Sequence, residues 1–189
     1  MGTRDGRYHY GPGSPPLAPG ATIYCGWLKI KTGNVTEGIS LLLSGLTGLR
    51  VIGSEMWVPH FIGYLAVAYE IAGEVEEALI RLDYAAQIVE KTGERWFAAE
   101  LNRHKGQLLL RQGHSKAAEE LYYKALGIAQ EQEAKLWELR AAVSLARPRR
   151  DQRRHVEARD LLAPVYNWFT EDFDTPDLKE AKALLHELT

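Results

Sequence analysis

Small and large apolar residues recur along this chain at one fixed interval. Small side chains stand at Gly26, Ala66, Gly106 and Ala146, and again at Gly38, Ala78, Ala118 and Ala158. A third series runs Gly45, Ala85, Ala125 and Val165, and a large apolar series runs Leu42, Leu82, Tyr122 and Leu162. Within each series the step is 40 residues. Gly33, Gly73 and Gly113 keep the same step, and the next lands on Arg153. Self-similarity at such a period is the mark of a solenoid, in which each unit buries its apolar face against its neighbours.

Each unit reads as a helix, a tight turn at the glycine and a second helix. In the third unit the stretch ERWFAAELNRHKGQLLLRQG gives a first helix over about 95–112, and a second follows over about 115–131. Gly106 sits inside that first helix, where glycine costs roughly 1 kcal/mol relative to alanine. The spacing explains it: small residues at fixed points let two helices approach closely, and a large residue fills the gap beside them. Trp57, Trp96 and Trp137 recur near the joins between units and read as packing between them. Sustained apolar–polar alternation, the signal of strands, is nearly absent.

The ends differ from the middle. Nine of the first 20 residues are Gly or Pro, which breaks helices and strands alike. The reading is a flexible leader over 1–20, then repeats over 21–170, with units at about 21–54, 55–93, 94–133 and 134–170. A capping helix follows over 175–188, with Thr175 as N-cap, Pro176 at the first position and a stripe of Leu178, Ala181, Leu184, Leu185 and Leu188. No comparable cap precedes unit one. Pro148 falls inside the first helix of unit four, where it should kink or break it.

The pattern resembles the tetratricopeptide repeat, whose signature is small residues at the eighth, twentieth and twenty-seventh positions with a large apolar residue at the twenty-fourth. In unit three these are Gly106, Ala118, Ala125 and Tyr122. The period of 40 exceeds the usual 34, so the helices are longer. The usual proline at the end of the second helix is replaced by Arg50, Glu90 and Gln130. Unit one has Cys25 and Lys29 where a large apolar pair is common, so it is expected to be the loosest. The resemblance implies an all-α fold, a right-handed superhelix of about four hairpins with a C-terminal cap. Over most of residues 21–188, and most strongly from Trp96 onward, the chain is similar, more narrowly, to the C-terminal repeat region of bacterial multidomain regulators, which carry a cyclase or DNA-binding domain and a signalling ATPase upstream. That implies a sensor or scaffold tail. It brings over no catalytic residue, and no GxxxxGK[ST] phosphate loop is present.

Composition removes several alternatives. The net charge is -2 and the pI about 6.3, which gives no general bias toward nucleic acid. The run ARPRRDQRRH (146–155) is a single basic stretch without interleaved aromatics, a weak nucleic-acid signal. One cysteine, Cys25, excludes an internal disulfide framework, and its place on a packing position reads as a buried structural thiol. No apolar run reaches the roughly 18 residues of a membrane helix, and no signal pattern opens the chain. The reading is a soluble cytoplasmic protein without a membrane partner.

Candidate chemistry is sparse. The six histidines (9, 60, 104, 114, 155 and 186) lack metal-ligand spacing, and EDFDTPD (171–177) lacks a calcium loop's spaced ligands. No nucleophile, base and orienting group fall together, so the reading is no enzyme, no cofactor and no metal. In tetratricopeptide domains the first helices line a concave groove that holds extended peptides. The family's groove positions fall here on His60, Glu70, Glu100, Arg103, Gln107, Arg111, Arg140, Arg147 and Arg150. The five arginines lie in units three and four, and guanidinium forks pair with carboxylates or phosphates. The expectation is a protein or peptide partner, acidic where it meets those arginines. Against it stands a plain solvated face, partly neutralised by Glu138, Asp151 and Glu157. The alternative functions are self-association, a homodimer through the uncapped first repeat, and a small-ligand sensor.

Overall fold

The computed structural model describes residues 18–171 and 174–189. Among them the chain forms helices α1 (Pro19–Lys31), α2 (Val35–Val51), α3 (Val58–Ile71), α4 (Val75–Thr92), α5 (Ala98–Arg111), α6 (Ser115–Glu131), α7 (Lys135–Asp151), α8 (His155–Tyr166) and α9 (Pro176–Glu187), and no strand. Successive pairs form four hairpins. The first helices, α1, α3, α5 and α7, are called A helices here, and the second, α2, α4, α6 and α8, B helices. The leader expected over 1–20 lies outside the described residues up to position 17; Pro19 and Gly20 already belong to α1.

Two turn series hold the hairpins in step. Between A and B helices Gly33, Gly73 and Gly113 adopt φ of 91°, 83° and 86°, and Arg153 takes the same left-handed conformation at 60°. Between B and A helices a second series runs Gly53, Gly93 and Glu133, at φ 68°, 74° and 53°. This series shares the step of 40 residues, with Glu133 standing where the first two members are glycines.

The small positions set how closely the helices approach. A Cβ on Gly106 would stand 2.7 Å from Tyr122 Cε1 and 3.1 Å from the Ala118 carbonyl, so the buried Tyr122 ring occupies the room that glycine leaves. Unit one is not the loosest of the four. Gly26 and Gly38 face one another so closely that a Cβ on either would lie 2.8 Å from the other's carbonyl oxygen. Missing large side chains there are offset by backbone contact. Cys25 is half-buried rather than buried.

Pro148 does not break α7. The helix runs on to Asp151, and the Gln152 N–H donates to the Pro148 carbonyl at 3.0 Å. Proline removes the donor for the Ser144 carbonyl. One residue on, the buried Arg149 guanidinium donates to the Leu145 carbonyl at 2.9 Å and to the Tyr123 hydroxyl and Glu119 carboxylate at 2.6 Å each. These side-chain bonds splint the helix across the proline. α9 closes the stack: Leu178, Ala181, Leu184 and Leu188 are buried with Leu139, Val143, Ala146 and Leu162 of α7 and α8. Thr175 holds the N-cap position, but its hydroxyl makes no capping bond.

Candidate interaction surface

The A helices present two different surfaces along one face. Toward the starts of α3, α5 and α7 it is aromatic. Trp27 of α1 stacks on Tyr64 of α3 at 4.3 Å with the rings 9° from parallel. Tyr64 lies 4.4 Å from His60, His60 lies 4.4 Å from Phe97, and Phe97 lies 5.8 Å from Trp137 at the start of α7. One unbroken row of rings therefore crosses all four hairpins. Beside it Trp57, Trp96 and Trp137 form a second line at 5.9 Å steps, which packs unit against unit. Trp57 and Trp96 stay 45% and 37% exposed, more than packing between units requires.

Glu94 pins this edge. Its Oε1 accepts from the Trp57 backbone N–H at 2.6 Å and from the Trp96 indole N–H at 3.0 Å. The bond holds Trp57 at φ 65°, an uncommon conformation for a bulky residue. His60 is a member of the aromatic row rather than a polar groove contact. Burial pushes its imidazole down to about 4, so it is neutral near pH 7, and its Nδ1 is buried without a hydrogen-bond partner among the described residues.

Further along these helices the same face is charged, and its charges are already paired. Glu70 meets His104 Nε2 at 2.5 Å and also Arg111. The His104 hydrogen bond, with help from Arg111, holds the Glu70 carboxyl below its ordinary range. Glu100, only 7% exposed, accepts from Arg103 at 2.8 and 3.0 Å and from Arg140 at 3.2 Å. Arg140 forks onto both carboxylate oxygens of Asp177 at 2.7 and 2.9 Å. Arg147 pairs with Glu180, and Arg150 pairs with Glu187 and Asp151.

The sequence reading named the cations here but not most of their carboxylates. Of the three acids expected to neutralise the face, only Asp151 meets a groove arginine. Glu138 is buried against Lys135, and Glu157 pairs with Arg154. Arg103, Gln107, Arg140 and Arg147 converge on one open cavity of about 290 Å³ that Asp177 and Glu180 complete. Glu70, Arg111 and Arg150 are not among its lining residues. In the basic run 146–155, Arg149, Arg150 and Arg154 are all engaged with carboxylates of the chain.

Among the described residues no group of three or more His, Cys, Asp or Glu side chains could hold a metal ion, and no helix is long and apolar enough to cross a membrane. No family model matches the chain. A stretch of 102 residues, 54% of the chain, is 28% identical to an uncharacterised protein of Rhizobium meliloti (strain 1021), of whose length it spans 10%. Two crystal structures of the nearly identical TPR-like repeats of a kinesin light chain candidate from Podosopora anserina superpose with TM-scores of 0.70 and 0.66. Both are 19% identical; each covers 92% of this chain, and the chain covers 87% and 95% of theirs. The chain thus has the all-α, TPR-like fold: a right-handed superhelix of four helical hairpins closed by α9.

Proposed function

We propose that the chain is a non-enzymatic protein-interaction module that takes an extended segment of a partner along its A-helix face. The observation that supports this is the aromatic row from Trp27 to Trp137, flanked by the exposed Trp57 and Trp96. Aromatic side chains supply much contact area at low conformational cost and are enriched at interfaces. The row is fixed before any partner arrives, which lowers the ordering cost of binding.

The charged half supports a narrower form of the acidic-partner reading. Its arginines are matched by carboxylates of the chain, so the face carries no large positive field. An acidic partner has to exchange with those carboxylates. Arg111 and Arg147, with side chains 63% and 50% exposed, are where exchange is open. A role as the regulatory tail of a bacterial signalling protein rests on the sequence resemblance, and is in keeping with a curated relative of whose length the matched 102 residues span only 10%.

A random peptide library selected on the immobilised protein tests the reading. Peptides enriched on the wild type should lose binding to the double variant Trp96→Ala, Arg147→Glu and keep it on Tyr84→Ala, which lies on a B helix. Retention on the double variant removes the A-helix face from the account.

A further inference from the structure

The opposite side of α3 carries a feature that peptide docking does not use. Val58, Ile62 and Leu65 lie two residues or so out of step with His60 and Tyr64, about half a turn around the helix. They floor an open cavity of about 470 Å³ between the B helices α2 and α4. That size suits a small organic ligand. Leu46 completes an apolar base, with Ile62 and Leu65 at 3% and 1% exposure.

The rim is rich in donors. Arg50, Arg81 and Lys91 line the cavity, against one carboxylate, Glu55, which faces Lys91 at 3.8 Å. The hydroxyls of Thr47 and Thr92 are spent on helix carbonyls at 2.8 Å each. Arg50 reaches the Tyr84 hydroxyl at 3.3 Å. Arg50 and Lys91 stand in the last turns of their helices, where a cation also offsets the negative helix end. Arg81 is not at a helix end, and its guanidinium lies over the Tyr69 ring, 5.6 Å from the centroid. Its Nη2 binds Glu77 at 3.0 Å, and its Nε is buried with no partner among the described residues.

An apolar base under a rim that carries three cations, Arg50, Arg81 and Lys91, and one carboxylate, Glu55, selects one chemistry. We infer that this trough binds a small amphipathic carboxylate, with its apolar body on Leu46, Ile62 and Leu65 and its carboxylate between Arg50 and Arg81. The site is independent of the A-helix face.

Calorimetric titration of the full chain with decanoate, and with decanol as the neutral counterpart, tests it. Decanoate should bind saturably, one per chain, and decanol about tenfold more weakly or less, the loss expected for one charge-assisted hydrogen bond. Arg81→Gln should weaken decanoate by about the same factor and leave decanol unchanged, and Arg50→Gln serves if Arg81→Gln melts early. Trp96→Ala should bind decanoate like the wild type. No saturable heat, equal affinity for decanol, or undiminished decanoate binding by folded Arg81→Gln overturns the site. So does binding only of a peptide that ends in a leucine carboxylate.

Discussion

The ring of Tyr122 stands where a side chain on residue 106 would be, with Cε1 2.7 Å from an added Cβ. Alanine gains about 1 kcal/mol of helix propensity over glycine, but overpacking a tight core costs about 1–3 kcal/mol. Gly106→Ala should therefore lower stability in urea unfolding. Adding Tyr122→Leu should make the double variant less unstable than the two losses summed, because the smaller side chain vacates the contested space. Strict additivity would separate the two residues.

Arg153 occupies the left-handed turn position that Gly33, Gly73 and Gly113 hold in the other units. For a residue with a Cβ that conformation costs about 1–2 kcal/mol. Arg153→Gly should raise the melting temperature, with a gain of about 1 kcal/mol. Arg153→Ala should not, since it keeps the Cβ. The pair of melting curves checks both.

Arg140 ties three helices together through Glu100 on α5 and Asp177 on α9. Hydrogen bonds to charged groups are worth about 1.5–3 kcal/mol each at most, and Glu100 is buried. Arg140→Leu should cost about 2–3 kcal/mol and speed hydrogen exchange in α9 first. Arg140→Lys should recover little, because an ammonium cannot fork onto Asp177.

How much of this was legible in the sequence follows from what a single position can encode. Closeness of helices is written in one residue, so Gly106, Ala118 and Ala125 announce it. The turn at Gly33, Gly73 and Gly113 is written the same way, and Arg153 could be placed by register alone. The charged face was half legible. Arginines such as Arg140 and Arg147 fall at groove positions, but their carboxylates, Asp177 and Glu180, lie 37 and 33 residues away on α9. No motif on one helix marks such pairs. The splint of Arg149 across Pro148 is equally hidden, since Glu119 and Tyr123 come from the preceding unit. The tryptophan spacing was visible, yet the row through His60 depends on ring contacts between units.

His60 predicts a pH dependence. Its folded value, about 4, lies below the ordinary 6.5 because burial disfavours the charged imidazole. The unfolded chain then binds more protons between those values, so stability should fall as pH drops from 6.5 toward 4. Glu70, held low by His104, adds a further loss as pH falls below 4.5 through its folded value. His60→Phe keeps the ring contacts and removes the unpartnered Nδ1. It should flatten the decline between pH 6.5 and 4 while leaving stability at pH 7 equal or higher. Denaturant midpoints across that range decide it, and an unchanged slope would place the effect elsewhere.

The central claim is that a partner segment lies along the A-helix face. Hydrogen-exchange footprinting of the protein with a library-selected peptide bound tests it most directly. The account predicts new protection in α3, α5 and α7, around Tyr64, Phe97, Arg103 and Arg147, with α4 and α6 unchanged. Protection confined to the B helices would contradict it.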